Sequence, residues 1–113
     1  MSKRSAELLI NDILEAAAKI QKYTKKYSFQ KFSADEKTID AVIRNFEIIG
    51  EAANRLPESF RDKHGTTEWH RIIGFRNRIV HDYMGVDLNI VWDIMQDFLP
   101  DLIKQIKKIK KTF

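Results

Sequence analysis

Within eight positions near the middle of this sequence, Arg76, Asn77, His81 and Tyr83 supply a guanidinium, an amide, an imidazole and a phenol. On a helix turning about 100° per residue these four fall within an arc of roughly 160°. The set suits phosphodiester chemistry without a metal ion. A guanidinium forks two hydrogen bonds onto phosphate oxygens and stabilises charge in a pentacoordinate transition state. An imidazole titrates near neutrality, so it can take a proton from a ribose hydroxyl or give one to a leaving oxygen. One helix offers a single imidazole, whereas acid–base cleavage of RNA needs a donor and an acceptor. A symmetric dimer would supply both.

Each residue alone has an ordinary explanation. A histidine on a helix is commonly structural, and a partly inward arginine commonly pairs with a carboxylate, here Glu47 or Glu51. Tyr83 near a helix end reads as a bundle-edge aromatic. What singles out the segment is an inward stripe of Trp69, Ile72, Ile73, Ile79 and Val80 that carries Arg76 where an apolar side chain is expected.

The elements that must position these groups are helices. Four glycines and two prolines are too few to punctuate many strands. Ala6, Leu9, Ile10, Ile13, Ala17, Ile20, Thr24 and Tyr27 recur at steps of three and four, and Phe29 and Phe32 in the following loop tuck back. Ser33 with Glu36 has the form of a capping box for a helix burying Ile39, Val42, Ile43, Phe46, Ile49 and Ala53. Pro57 ends that helix or begins a short one through Lys63, stopped by Gly65. Thr66 or Thr67 should cap the helix carrying Arg76, and Gly85 should end it. Asp87 should cap the last helix, and Pro100 should kink that helix near Gln96. The expected fold is all-α: one antiparallel, four-helix-bundle-like domain over residues 1–113 with an additional short helix.

Composition narrows the function classes. The 113 residues carry a net charge of +4, but five lysines and no acid fall in residues 104–113; the rest holds 15 basic and 16 acidic side chains. The basic character belongs to a tail, so it does not by itself argue for a nucleic-acid partner. Those lysines oppose a helix macrodipole, steer RNA or dock an acidic partner. Cysteine is absent, and His64, His70 and His81 have no metal-binding spacing, so neither a metal site nor a cofactor is expected. No apolar run is long enough for a membrane helix, and the expected setting is soluble and cytoplasmic.

The run Arg76-Asn77-Arg78-Ile79-Val80-His81-Asp82-Tyr83 resembles the Arg-x4-His motif of the HEPN superfamily, in the Arg-x4-His-x-Tyr form of HepT-like toxins. Ala41-Val42-Ile43-Arg44 with Ile48-Ile49-Gly50-Glu51-Ala52 resembles the second helix of that family. Trp69 with Ile72-Ile73-Gly74 is similar to the approach to the motif, and Val91-Trp92 to the helix beyond it.

The resemblance implies a homodimeric HEPN domain acting as the toxin of a type VII toxin–antitoxin pair. Its activity would be metal-independent cleavage of RNA in a cleft between the motif helices. Arg76 and His81 would be the catalytic pair and Asn77 the polar residue beside the arginine; Arg78 falls at a position the family leaves variable, and it and Arg71 are RNA-binding candidates on their charge and nearness to His81 alone. Tyr83 corresponds to the tyrosine to which an MntA-type nucleotidyltransferase antitoxin adds AMP. Two other classes remain open. One is an inactive helical module that binds a nucleotide or serves as scaffold for a nucleotidyltransferase. The other is a DNA-binding helix-turn-helix, against which stands the want of a tight turn feeding a basic recognition helix.

Overall fold

The computed structural model describes residues 4–82 and 87–113; for residues 76–82 it describes the helical backbone alone. Every regular element among the described residues is helical. Helix α1, Ala6–Tyr23, opens where the Ser5 hydroxyl accepts the Leu8 amide at 3.2 Å. It buries Leu9, Ile10, Ile13, Ala16, Ala17 and Ile20, the expected stripe. The stripe outlasts the helix, however. Thr24 folds its hydroxyl onto the Ile20 carbonyl at 2.7 Å, and Lys26 takes a φ of 64°, which turns the chain. A residue with a side chain takes that left-handed conformation only at some steric cost. Tyr27 therefore lies past the helix, donating its phenol hydrogen to Asp35 Oδ2 at 2.8 Å.

The loop expected around Phe29 and Phe32 is a short helix, α2, Phe29–Ser33, capped by the Ser28 hydroxyl. Phe32 is fully buried, and it makes Ser33 part of a helical turn, where the Ser33 hydroxyl donates to the Gln30 carbonyl at 3.1 Å. A residue in helical conformation cannot serve as an N-cap. The cap of α3, Glu36–Arg55, is accordingly Asp35 and not Ser33. The Asp35 carboxylate accepts the Thr38 amide at 3.1 Å and the Thr38 hydroxyl at 2.7 Å. The Thr38 and Tyr27 hydroxyls hold the Asp35 carboxyl below its usual range by stabilising the charged form.

Helix α3 is the centre of the bundle, packed against α1 on one side and α5 on the other. It buries Val42, Ile43, Phe46, Ile49 and Ala53 as the pattern requires, and also Asn45, whose amide donates to the Ala41 carbonyl at 2.8 Å. Pro57 precedes the short α4, Glu58–Lys63. Helix α5, Trp69–Asp82, begins one residue later than a Thr67 cap would place it and two later than a Thr66 cap would. The carbonyl that accepts its first helical bond belongs to Glu68, from the Ile72 amide at 3.3 Å, while buried Thr67 offers its own carbonyl to Trp69 at 2.9 Å. The expected end at Gly85 lies outside the described residues.

The last helix is built in three pieces: α6, Leu88–Asp93, a π-helical turn, Ile94–Phe98, and α7, Leu99–Lys110. Asp87 caps α6 as expected, accepting the Asn89 amide at 2.8 Å. Pro100 lacks an amide hydrogen, and its ring crowds the carbonyl four residues back, that of Gln96. The helix answers by widening. The Leu99 amide reaches the Ile94 carbonyl, five residues back, and α-helical spacing resumes with Pro100 in the first turn of α7. Val91, Met95, Leu99, Leu102, Ile106 and Ile109 stay buried through the change, and α7 packs against α1. Trp92 meets Phe29 at 6.1 Å and Phe32 at 5.5 Å between ring centroids, so α2 fastens α6.

Candidate functional site

The helix carrying the motif is anchored to the bundle at its first two turns. Trp69 and Ile72 are buried, and the Trp69 indole donates to the His64 carbonyl at 3.0 Å, fixing where the helix starts. Phe75, absent from the expected inward stripe, meets Phe46 of α3 edge-on at 5.1 Å. Its place in the sequence, three residues past Ile72, is the signal that would have included it. Phe46, Ile49, Ile72, Phe75, Phe98 and Leu102 line a void of about 20 Å³, room for about one water.

Two faces of α5 follow from these contacts. Trp69 and Ile72 define the buried register, and Arg76 falls on it at four residues past Ile72 and seven past Trp69. His70, Arg71 and Gly74 are exposed, and His81 falls on their register at seven residues past Gly74. Arg76 and His81 are thus about 140° apart around one helix. A methyl group built on Gly74 would meet none of the described residues within 4 Å.

Of the candidate residues, Arg71 is fully described. Its guanidinium sits 4.5 Å from the centroid of the Phe98 ring and 3.3 Å from the Glu68 carboxylate. It is half exposed, so it reaches solvent from a fixed position. Arg76, Asn77, Arg78 and His81 lie on the described backbone of α5, and their side chains lie outside the described residues. Tyr83 lies outside altogether. Glu47, a suggested partner for the arginine, faces Arg44 at 3.7 Å on its own helix, and Glu51 is exposed. Among the described residues, no three His, Cys, Asp or Glu side chains gather as a metal site would require. No helix among them is long and apolar enough to cross a membrane.

A second feature escaped the sequence reading. The connection from α4 to α5 and the far end of α7 bound an open cleft of about 510 Å³, with His64, Thr66 and Thr67 on one wall and Lys104, Gln105 and Lys108 on the other. Beside it Phe60 meets His64 at a tilt, with centroids 4.7 Å apart, and stacks on Phe113 at 6.0 Å.

The matches with known proteins bear on this geometry. The family described as Ribonuclease HepT-like matches residues 13–109, a span that contains α5 whole. A protein of Methanocaldococcus jannaschii, provisionally named an RNase, is 38% identical over 111 residues, covering 98% of this chain and 92% of its own. A protein of Thermococcus cleftensis, named a probable ribonuclease HepT, is 36% identical over 109 residues, covering 96% and 99%. A further relative from Caldanaerobacter subterraneus, also provisionally named an RNase, is 37% identical over 100 residues, covering 88% and 89%. No solved structure matches the chain at a significant level. An all-helical bundle whose α5 carries Arg76 and His81 five positions apart, matched nearly end to end, leaves one assignment: the chain belongs to the HepT-like ribonuclease family.

Proposed function

We propose that this chain is a metal-independent endoribonuclease, the toxin of a toxin–antitoxin pair, and that it acts as a homodimer of single HEPN domains. The observation that carries the reading is the family match across residues 13–109, which includes every residue of the Arg76–Tyr83 segment. In this mechanism His81 removes the proton of a ribose 2′-hydroxyl, and the freed oxygen attacks the adjacent phosphorus. Arg76 holds the phosphate oxygens as negative charge grows, and Asn77 orients the groups around them. The bond to the 5′-oxygen breaks, a cyclic 2′,3′-phosphate remains on one product, and the 5′-oxygen takes a proton from the partner subunit's His81.

The register of α5 favours a composite site. Residues five apart on one helix do not face each other, and Arg76 shares the register of buried residues while His81 shares that of exposed ones. A second copy of the motif helix brings an arginine from one chain and an imidazole from the other to a single phosphate. A cognate MntA-type nucleotidyltransferase would silence the toxin by adding AMP to Tyr83. Bulky anionic groups at the cleft would repel RNA phosphates and block entry.

Purified protein should cleave single-stranded RNA in the presence of EDTA, leaving cyclic phosphate ends, and His81→Ala should lower the rate at least a hundredfold. Cleavage by His81→Ala at the unaltered rate would refute the assignment. Sedimentation of the same samples tests the dimer: a monomer that retains full activity would remove the composite site.

A further inference from the structure

The cleft beyond the start of α5 is built from two stretches far apart in sequence. On α7, Lys104 and Lys108 are exposed, one turn apart, and about 6 Å separates them along the helix axis. That is the scale on which successive phosphates follow one another in an extended strand. Lys107 and Lys111 flank them, and the one acid on this wall, Asp101, already accepts a hydrogen bond from Gln105 Nε2 at 2.9 Å. Across the cleft stand Thr66 and Thr67, which lead directly into α5.

Aromatic rings continue outward from His64, on the wall across from the lysines. Phe113 lies parallel to Phe60, with 10° between the ring planes, and Phe60 in turn contacts His64. Phe113 is 51% exposed, among the most exposed of the large apolar side chains described. An accessible aromatic ring beside a cationic groove is the usual construction for holding single-stranded nucleic acid: cations follow the backbone and rings receive bases. Lysines spaced along the helix on the scale of successive phosphates, with a ring beside them, favour a nucleic-acid strand over an acidic protein surface.

We propose that this cleft is a peripheral single-stranded RNA site, in which Lys104 and Lys108 contact phosphates and a base stacks on the Phe113–Phe60 pair. The site rests on the ribonuclease reading for its purpose and deepens it. From Trp69 to His81 is about 18 Å along α5, with exposed His70, Arg71 and Gly74 between. A strand seated in the cleft and laid along that face arrives at the register of His81. The enzyme would then prefer RNA long enough to occupy both places.

The test uses the full chain carrying His81→Ala, so that RNA stays intact, and fluorescence anisotropy with a labelled oligouridylate. Lys104→Gln with Lys108→Gln should weaken binding about tenfold and should lower the slope of log affinity against log salt by about 1.4. Arginine at both positions should restore binding, because charge and not shape is required. Phe113→Ala should weaken binding about fivefold or more, and Phe113→Trp should restore it. Circular dichroism on each variant separates a lost contact from a lost fold. In the chain with His81 intact, the lysine exchange should also reduce the preference for cleaving a long RNA over a dinucleotide.

Unaltered affinity and salt slope in both the lysine and Phe113 variants would overturn the site. So would intact RNA binding combined with lost capture of the cognate nucleotidyltransferase, which would make this face a protein-docking surface. The two readings fail separately. A chain that binds oligouridylate through these residues and cleaves nothing overturns the nuclease and keeps the cleft. His81-dependent cleavage with no effect of the cleft variants does the reverse.

Discussion

The Arg71 guanidinium rests 4.5 Å from the Phe98 ring and so joins the motif helix to the π-helical turn of the last helix. This contact closes the bundle on the side where α5 meets the segment before α7, and Glu68 at 3.3 Å steadies the same guanidinium. Arg71 is therefore a structural residue first, whatever RNA it also meets. A double-mutant cycle with Arg71→Ala and Phe98→Leu should return a coupling of about 0.5–1 kcal/mol in urea unfolding, the value for a cation over a ring at a partly exposed site. A coupling indistinguishable from zero would show that the two side chains pack independently.

Gly74 leads to the opposite kind of result. It is exposed on α5, where a methyl group would meet none of the described residues within 4 Å. Glycine in a helix interior costs roughly 0.5–1 kcal/mol relative to alanine, because the unfolded chain gains freedom. Gly74→Ala should stabilise the protein by about that amount, read as a higher denaturant midpoint at an unaltered slope. A lower midpoint would mean that a further group approaches this face in solution, since the described residues leave it open.

The pH dependence has one local source that can be traced. Asp35 is held below the usual carboxylate range by hydrogen bonds from the Thr38 hydroxyl, the Tyr27 phenol and the Thr38 amide, in that order. Its folded value lies below its unfolded value, so its contribution is present at neutral pH. That contribution fades as acid protonates first the unfolded chain and then the folded one. Asp35→Asn should lower the melting temperature by a few degrees at pH 7 and less at low pH. Thermal melts of both proteins across the acid range should converge. Parallel curves would place the effect outside this carboxylate.

Pro100 and Gln96 show how far the sequence could be read. Proline four residues past Gln96 signals trouble in the helix, and the structure places its adjustment there. The form of the adjustment, one extra residue absorbed in a wide turn, depends on keeping Met95 and Leu99 both inward, a tertiary demand. Asp87 was legible because its cap acts two residues away. Ser33 was misleading because the burial of Phe32 pulled it into α2, and the cap passed to Asp35. Arg76 and His81 were legible as a pattern because spacing along one helix is local. The lysine and aromatic cleft was not, since His64 and Lys104 meet through the docking of α7.

The widened turn can be tested directly. Deleting exposed Gln96 together with Pro100→Ala returns the segment to α-helical spacing without rotating the buried residues on either side. That variant should fold with a melting temperature within a few degrees of the parent. Deleting exposed Lys104 turns Ile106 and Ile109 by about 100° relative to Leu102. It should cost several kcal/mol, because those side chains leave the core. Equal tolerance of both deletions would mean that α7 contributes little to the core.

Three tyrosines compete as acceptors of AMP in the proposed silencing reaction: Tyr23, Tyr27 and Tyr83. Tyr27 is a poor candidate, since its phenol is engaged with Asp35 at 2.8 Å and its ring lies under Lys31 at 4.3 Å. Tyr23 is 39% exposed and serves as an internal control for nonspecific modification. Co-expression with the cognate nucleotidyltransferase should add whole adenylyl groups to the intact mass, and Tyr83→Phe should gain none. The modified chain should lose at least tenfold in RNA cleavage, whereas Tyr83→Phe should cleave equally with or without the partner. Peptide mapping decides the acceptor. Adenylylation confined to Tyr23, or undiminished on Tyr83→Phe, would remove Tyr83 from its proposed role and leave the His81-dependent chemistry untouched.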